Sequence, residues 1–144
     1  IDGVGYHFLS QEEFLERLAA GQFLEAAEVF GRGHWYGTLW DEVSSSLAAG
    51  KWVILEIDVQ GAAAVLERFP EAITIFIRTQ SLADLERRLR SRGTETEEAI
   101  QRRLAVARGE LELADRYCHQ VINDDIQAAA EQIVAIFHQE GLST

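Results

Sequence analysis

Two carboxylates close a strand-like apolar run in this chain. The stretch Trp52-Val53-Ile54-Leu55-Glu56-Ile57-Asp58-Val59-Gln60-Gly61 opens on mostly apolar residues with β-branched side chains among them. That pattern predicts a strand buried on both faces, of the parallel-sheet kind. Glu56 and Asp58 are two apart, so strand periodicity puts both on one side. Acids that end a buried strand need a cation or a hydrogen-bond donor. Ligands of open α/β sheets bind at the carboxyl ends of strands. The stretch is therefore a candidate site, against the plainer reading of two solvated residues at a sheet edge.

A second concentration of chemistry is cationic. Between Asp84 and Glu110 stand seven arginines (87, 88, 90, 92, 102, 103, 108) against six acids, whereas residues 1–45 carry two arginines against eight acids. Twelve of the thirteen basic residues are arginine, the side chain whose planar fork matches phosphate. An anion site at one helix-loop-helix is one reading. A solvated helix pair with i,i+4 ion pairs such as Glu86 with Arg90 is the other.

The elements that must position these groups follow from pattern and punctuation. Residues 1–9 read as a turn and a short strand. Ser10-Gln11-Glu12-Glu13 is a capping box that opens a helix to about Ala20, stopped by Gly21. Residues 23–30 read as a strand, 31–37 as a glycine-punctuated loop with two aromatics, and 40–49 as a helix ended by Gly50. After the strand at 52–57 come a helix at 61–69, a second buried strand at 73–77 and a helix capped by Ser81. A further capping box, Thr94 with Glu97, opens a long helix to about Asp115. A short strand at 120–122 and a helix at 126–139 finish the chain. Strands alternating with helices after residue 50 imply parallel α/β layers.

Composition narrows the partners. A length of 144 residues with 47% hydrophobic and 26% charged residues suits one soluble domain. The apolar runs are strand-length, so no membrane span is expected. A net charge of −11 argues against a nucleic-acid partner. The lone Cys118 cannot form an internal disulfide and fits a reducing cytoplasm. Ile1-Asp2-Gly3 has neither Met nor a signal pattern and reads as the interior of a longer chain. The four histidines (7, 34, 119, 138) lack metal-ligand spacing.

Eight ordered stretches together resemble guanylate kinase. They are Asp2-Gly3 with Tyr6-His7-Phe8; Phe23-Leu24-Glu25; Tyr36-Gly37-Thr38; Leu55 to Gly61; Ile75-Phe76-Ile77; Arg88-Leu89 with Arg92-Gly93-Thr94-Glu95; Arg102-Arg103-Leu104; and Asn123-Asp124. The resemblance implies an α/β chain of the P-loop nucleoside monophosphate kinase fold. Its GMP-binding region would span 1–45 and its core 46–144, with a helical lid at about 85–108. It also implies transfer of the γ-phosphoryl of ATP to GMP, with Mg²⁺ accompanying ATP, in the cytoplasm, and with GMP and ATP as the small-molecule partners.

Residue by residue, the resemblance implies that Tyr6 and Tyr36 hold the GMP phosphate. Glu25 and Glu56 would accept from the N–H donors of guanine, with Thr38 beside the base. Asp58 would lie near Mg²⁺, through water, and act in catalysis. Arg88, Arg92 and Arg103 would be the catalytic lid arginines, with Arg88 and Arg92 also on ATP. Asn123 would lie near the adenine.

The sequence departs from the family pattern in several places. Glu56 stands where many relatives have Asp. The loop at 31–35 looks two residues longer than usual, and Arg78-Thr79-Gln80-Ser81 replaces a proline pair. No G-x-x-x-x-G-K-[ST] phosphate loop is present: Gly50-Lys51 is followed by Trp52, and Ser45 stands where the first glycine should. The chain thus resembles the C-terminal three-quarters of the family, lacking its first strand and phosphate loop. It is expected to be inactive as written. The alternative is a kinase-dead guanylate-kinase-like module that binds partner proteins. A different nucleoside monophosphate kinase is disfavoured by Glu25 and Glu56.

Overall fold

The structure is a computed structural model and describes residues 6–28 and 34–142. The expectations for the Asp2-Gly3 turn and for Arg32 and Gly33 lie outside the described residues. The chain divides into two compact units, Ile1–Ala72 and Ile73–Thr144.

In the first unit, α1 (Gln11–Ala19) starts at the expected capping box. Glu13 N–H donates to Ser10 Oγ at 3.2 Å, and Ser10 N–H donates back to Glu13 Oε2 at 2.9 Å. The buried Phe14 on this helix stacks on Phe23, with ring centroids 4.4 Å apart. Phe23 opens β1 (Phe23–Glu28), which pairs antiparallel with β2 (Trp35–Leu39).

β2 corrects the reading of 31–37 as loop at residues 35–37, where the chain is strand. Gly37 is there for close approach and not for a turn. A Cβ at Gly37 would lie 2.6 Å from the Glu25 carbonyl oxygen across the ladder, far inside van der Waals contact. Then come α2 (Trp40–Ala48) and α3 (Val59–Arg68). Helix α3 begins two residues earlier than the glycine suggested, because Asp58 is its N-cap and accepts from Gly61 N–H at 2.8 Å.

Leu24, Val43 and Val65 form this unit's core. Val53, Leu55 and Ile57 pack against it, whereas Ile54 is 66% and Trp52 45% exposed. The alternation is that of a strand, but the reading of 52–57 as buried on both faces is corrected. A ladder makes a strand, and among the described residues no backbone hydrogen bond reaches 52–57. An apolar run specifies what a segment can bury, not which neighbours cover it.

The second unit holds β3 (Ile75–Arg78) and β4 (His119–Ile122), paired in parallel from Ile75↔His119 to Arg78↔Ile122. Phe76 is buried while Ile77 is 54% exposed, so β3 too is covered on one face only. Between the strands run α4 (Leu82–Arg92) and α5 (Glu97–Leu111), which pack together, and a 3₁₀ turn at Ala114–Arg116.

Gly93 ends α4 in the left-handed conformation, at φ 62°. The cap of α5 is Thr96, accepting from Ala99 N–H, not Thr94 as the capping-box spacing suggested. Glu97 is taken instead by Arg90, whose guanidinium binds both its oxygens at 2.5 and 2.8 Å. The long helix ends at Leu111, short of Asp115. Helix α6 (Ile126–Gln139) packs on β4 and is capped by Asp125. Among the described residues no helix is long and apolar enough to cross a membrane.

Candidate active site

The β1–β2 ladder sets Glu25 directly opposite Thr38, and Ala27 opposite Tyr36. Tyr36 and Thr38 are two apart and share a face. Thr38 Oγ1 donates to Glu25 Oε1 at 2.6 Å. The Glu25 side chain is buried, and among the described residues its other oxygen, Oε2, has no hydrogen-bond partner. Behind it lies the first turn of α3: a Cβ at Gly61 would stand 3.0 Å from Oε2 and 3.1 Å from the Ile57 Cβ. Glycine at that position lets the helix pack onto the carboxylate.

Asp58 joins this group. Its Oδ1 caps α3 and its Oδ2 accepts from the Tyr36 hydroxyl at 2.7 Å. Two acids, one threonine and one tyrosine thus meet at the start of α3. Spacing in the sequence could not have shown the Tyr36–Asp58 bond, which spans 22 positions.

The Tyr36 bond has a chemical consequence. A phenol carries one proton and so donates one hydrogen bond. In this arrangement Tyr36 spends that proton on Asp58. Donation to a phosphate therefore requires release of Asp58 Oδ2.

Glu56 is not part of the group. It lies on the exposed side of the 52–57 segment with Trp52 and Ile54, opposite to the side that packs on the core. Tyr6 is also exposed, with its ring 6.5 Å from Phe8.

The second unit gathers the cations. Arg88 donates from Nη1 to the Asn123 carbonyl at 2.7 Å and from Nη2 to Asp124 Oδ1 at 3.2 Å. Arg103 is paired with Glu95, and Arg90 with Glu86 and Glu97. Arg92 is exposed in the last turn of α4. Arg90 and Glu97 stabilise each other's charges: the paired guanidinium pulls Glu97 down to about 2, and the two carboxylates raise Arg90 above its ordinary value. Asp84, also within the arginine-rich stretch, is buried and paired with Arg87.

Among the described residues no three His, Cys, Asp or Glu side chains gather as a metal cage. Asp58 fits a hydrated magnesium ion on chemical grounds. Each of its oxygens accepts one hydrogen bond and keeps a lone pair, and Mg²⁺ is commonly held by one or two carboxylates together with substrate phosphates.

Comparison with known proteins places these residues in a family context. The guanylate kinase family model matches residues 1–140. The guanylate kinase of Rhodopirellula baltica is 46% identical over 145 residues, covering 100% of this chain and 69% of its own. That of Gloeobacter violaceus is 51% identical over 140 residues, covering 97% of this chain and 67% of its own. A crystal structure of guanylate kinase from Anaplasma phagocytophilum superposes with a TM-score of 0.78 at 31% identity, covering 100% of this chain and 69% of that one.

Proposed function

The chain belongs to the guanylate kinase family, and on that premise we propose that the protein carrying it transfers the γ-phosphoryl of ATP to GMP. Its fold is the α/β fold of the P-loop nucleoside monophosphate kinases. One observation carries the choice of acceptor: a buried carboxylate, Glu25, with one oxygen satisfied by Thr38 and the other unpartnered. A buried acceptor without a donor is costly, and a bound N–H relieves the cost. Guanine's Watson–Crick edge presents N–H donors side by side, whereas adenine places a ring acceptor there. A site built to accept rejects the wrong base by leaving groups unpaired.

In this reading Glu25 and Thr38 read the base, and Tyr36 and Tyr6 hold the GMP phosphate. Tyr36 exchanges Asp58 for the phosphate as GMP arrives. That exchange frees an Asp58 oxygen on the side where charge accumulates. Glu56 was grouped with Glu25 by resemblance. Its exposed position supports a smaller share in base choice than Glu25 has. Arg88, Arg92 and Arg103 neutralise phosphate charge as it shifts between leaving and accepting oxygens. Asn123 stands by the adenine. Bound magnesium, held near Asp58 through water, would shield the phosphates. The functional division in this reading is a GMP-binding region at 1–45 and a core at 46–144 with its lid at about 85–108.

The test is coupled ADP release by the parent gene's full product with GMP, AMP, CMP and UMP. GMP should be the preferred acceptor by orders of magnitude. Equal turnover of AMP would sink the base assignment, and no turnover with any acceptor would favour a protein-binding module.

A further inference from the structure

The turn after β4 is fixed from three directions. Asn123 N–H donates to the Arg78 carbonyl at 2.8 Å and so extends the β3–β4 ladder. Asp125 caps α6, its Oδ1 accepting from Ala128 N–H at 2.9 Å. Between them, the Asn123 carbonyl and the Asp124 carboxylate take the two terminal nitrogens of Arg88. On the other side, Leu89 is 3% exposed, so the helix cannot roll to carry Arg88 elsewhere without unburying its neighbour.

Arginine is a long side chain with many rotamers, and its guanidinium is a planar fork. Two acceptors on one rigid turn reduce that freedom to one plane. The guanidinium keeps its Nε–H and its two faces for another group. A cation held this way loses little further entropy when an anion or a base arrives.

We propose that Asp124 is a positioning residue for ATP binding, acting through Arg88. The proposal rests on the kinase reading for the choice of ATP as ligand. Asp124 itself need not touch the nucleotide. It holds Arg88 on the β4–α6 turn, so that the α4 end of the lid and the adenine-side turn present one preformed surface. The pair is partly exposed, at 36% for Arg88 and 46% for Asp124, so solvent screens it. The effect to expect is moderate, about three- to tenfold in affinity.

The experiment uses the full product of the parent gene and measures equilibrium binding of ATP and of GMP by calorimetry. Asp124→Ala should weaken ATP about three- to tenfold and leave GMP unchanged, and Asp124→Glu should recover part of the loss. In an Arg88→Ala background the Asp124 substitution should have no further effect on ATP. NMR order of the Arg88 Nε–H, read without any nucleotide, should fall in Asp124→Ala. Unchanged ATP affinity and unchanged Arg88 order in Asp124→Ala would overturn the proposal. So would an equal loss of ATP affinity with and without Arg88. Failure of the wild-type protein to phosphorylate GMP would count against the kinase reading instead, and the Arg88 order measurement would still decide the positioning role.

Discussion

In the proposed function acceptor choice turns on Glu25, the buried carboxylate bonded by Thr38. In the full gene product, Glu25→Gln replaces a buried charged acceptor by an amide that presents one acceptor and one donor. Loss of a hydrogen bond to a charged group is worth about 1.5–3 kcal/mol. Steady-state kinetics should show kcat/KM for GMP falling roughly tenfold or more, with the KM for ATP little changed. Glu56→Gln should cost less, since Glu56 is exposed, and an equal cost would restore it as a full partner of Glu25.

Among the described residues Thr38 supplies the one hydrogen bond the Glu25 carboxylate has. Thr38→Val would leave a buried carboxylate with no donor and should lower stability by about 1–3 kcal/mol in urea unfolding. An unchanged midpoint would mean that Glu25 finds another partner. The Thr38–Glu25 pairing was half legible. The resemblance assigned both residues to one site, but only the ladder register puts them face to face. Cys118 offers a separate check at this scale. The Thr74 hydroxyl beside its sulfur lowers the thiol below its ordinary value. Thr74→Val should shift the pH midpoint of Cys118 alkylation upward.

At the level of elements, the hairpin of α4 and α5 is cross-linked by charge. Glu97 is lowered from 4.5 to about 2, first by the Arg90 hydrogen bond and next by Gln101. A carboxylate lowered on folding contributes stability that is fully present above its unfolded value near 4.5. The contribution fades as pH falls through about 2. The stability difference between the wild type and Glu97→Gln should therefore be constant from neutral pH to about 4.5 and shrink steadily below it. Urea melts at a series of pH values measure it, and a difference that does not shrink on acidification would show that Glu97 carries no such linkage.

These internal pairs brace the hairpin, which in the proposed function is the lid and would move as one piece. In that reading Arg103, paired with Glu95, would exchange it for phosphate when nucleotide binds. Lid closure of this type runs on μs–ms timescales and excludes water from the reaction. Arg103→Ala should accordingly lower kcat with a smaller effect on GMP affinity, whereas equal kcat would remove Arg103 from the chemistry. The hairpin itself was legible from helical spacing and from Gly93. The Thr94 cap was not, because competition between Arg90 and the backbone for Glu97 depends on where α4 ends. β2 escaped notice for a related reason: its glycine serves a neighbouring strand, and a single sequence does not say which strand is near.

At the scale of the whole molecule, the segment around Glu56 and Asp58 shows how far pattern reading reaches. Its strand-like apolar run was visible, and so was its place before a helix. Its exposed face was not, since burial belongs to the neighbours and not to the run. Residues 1–144 hold the buried Glu25 and the arginine-rich hairpin of α4 and α5 but contain no G-x-x-x-x-G-K-[ST] sequence. The triphosphate must be neutralised during transfer by loop N–H groups, a lysine, magnesium and arginines acting together. The central claim of the proposed function is thus a division of labour: these residues would choose GMP and close over it, and would not by themselves cradle the phosphates of ATP. The measurement that tests it most directly is coupled ADP release with GMP, run side by side on residues 1–144 and on the parent gene's full product. The account predicts turnover by the full product and only background from residues 1–144. Turnover by residues 1–144 at a rate near that of the full product would contradict it.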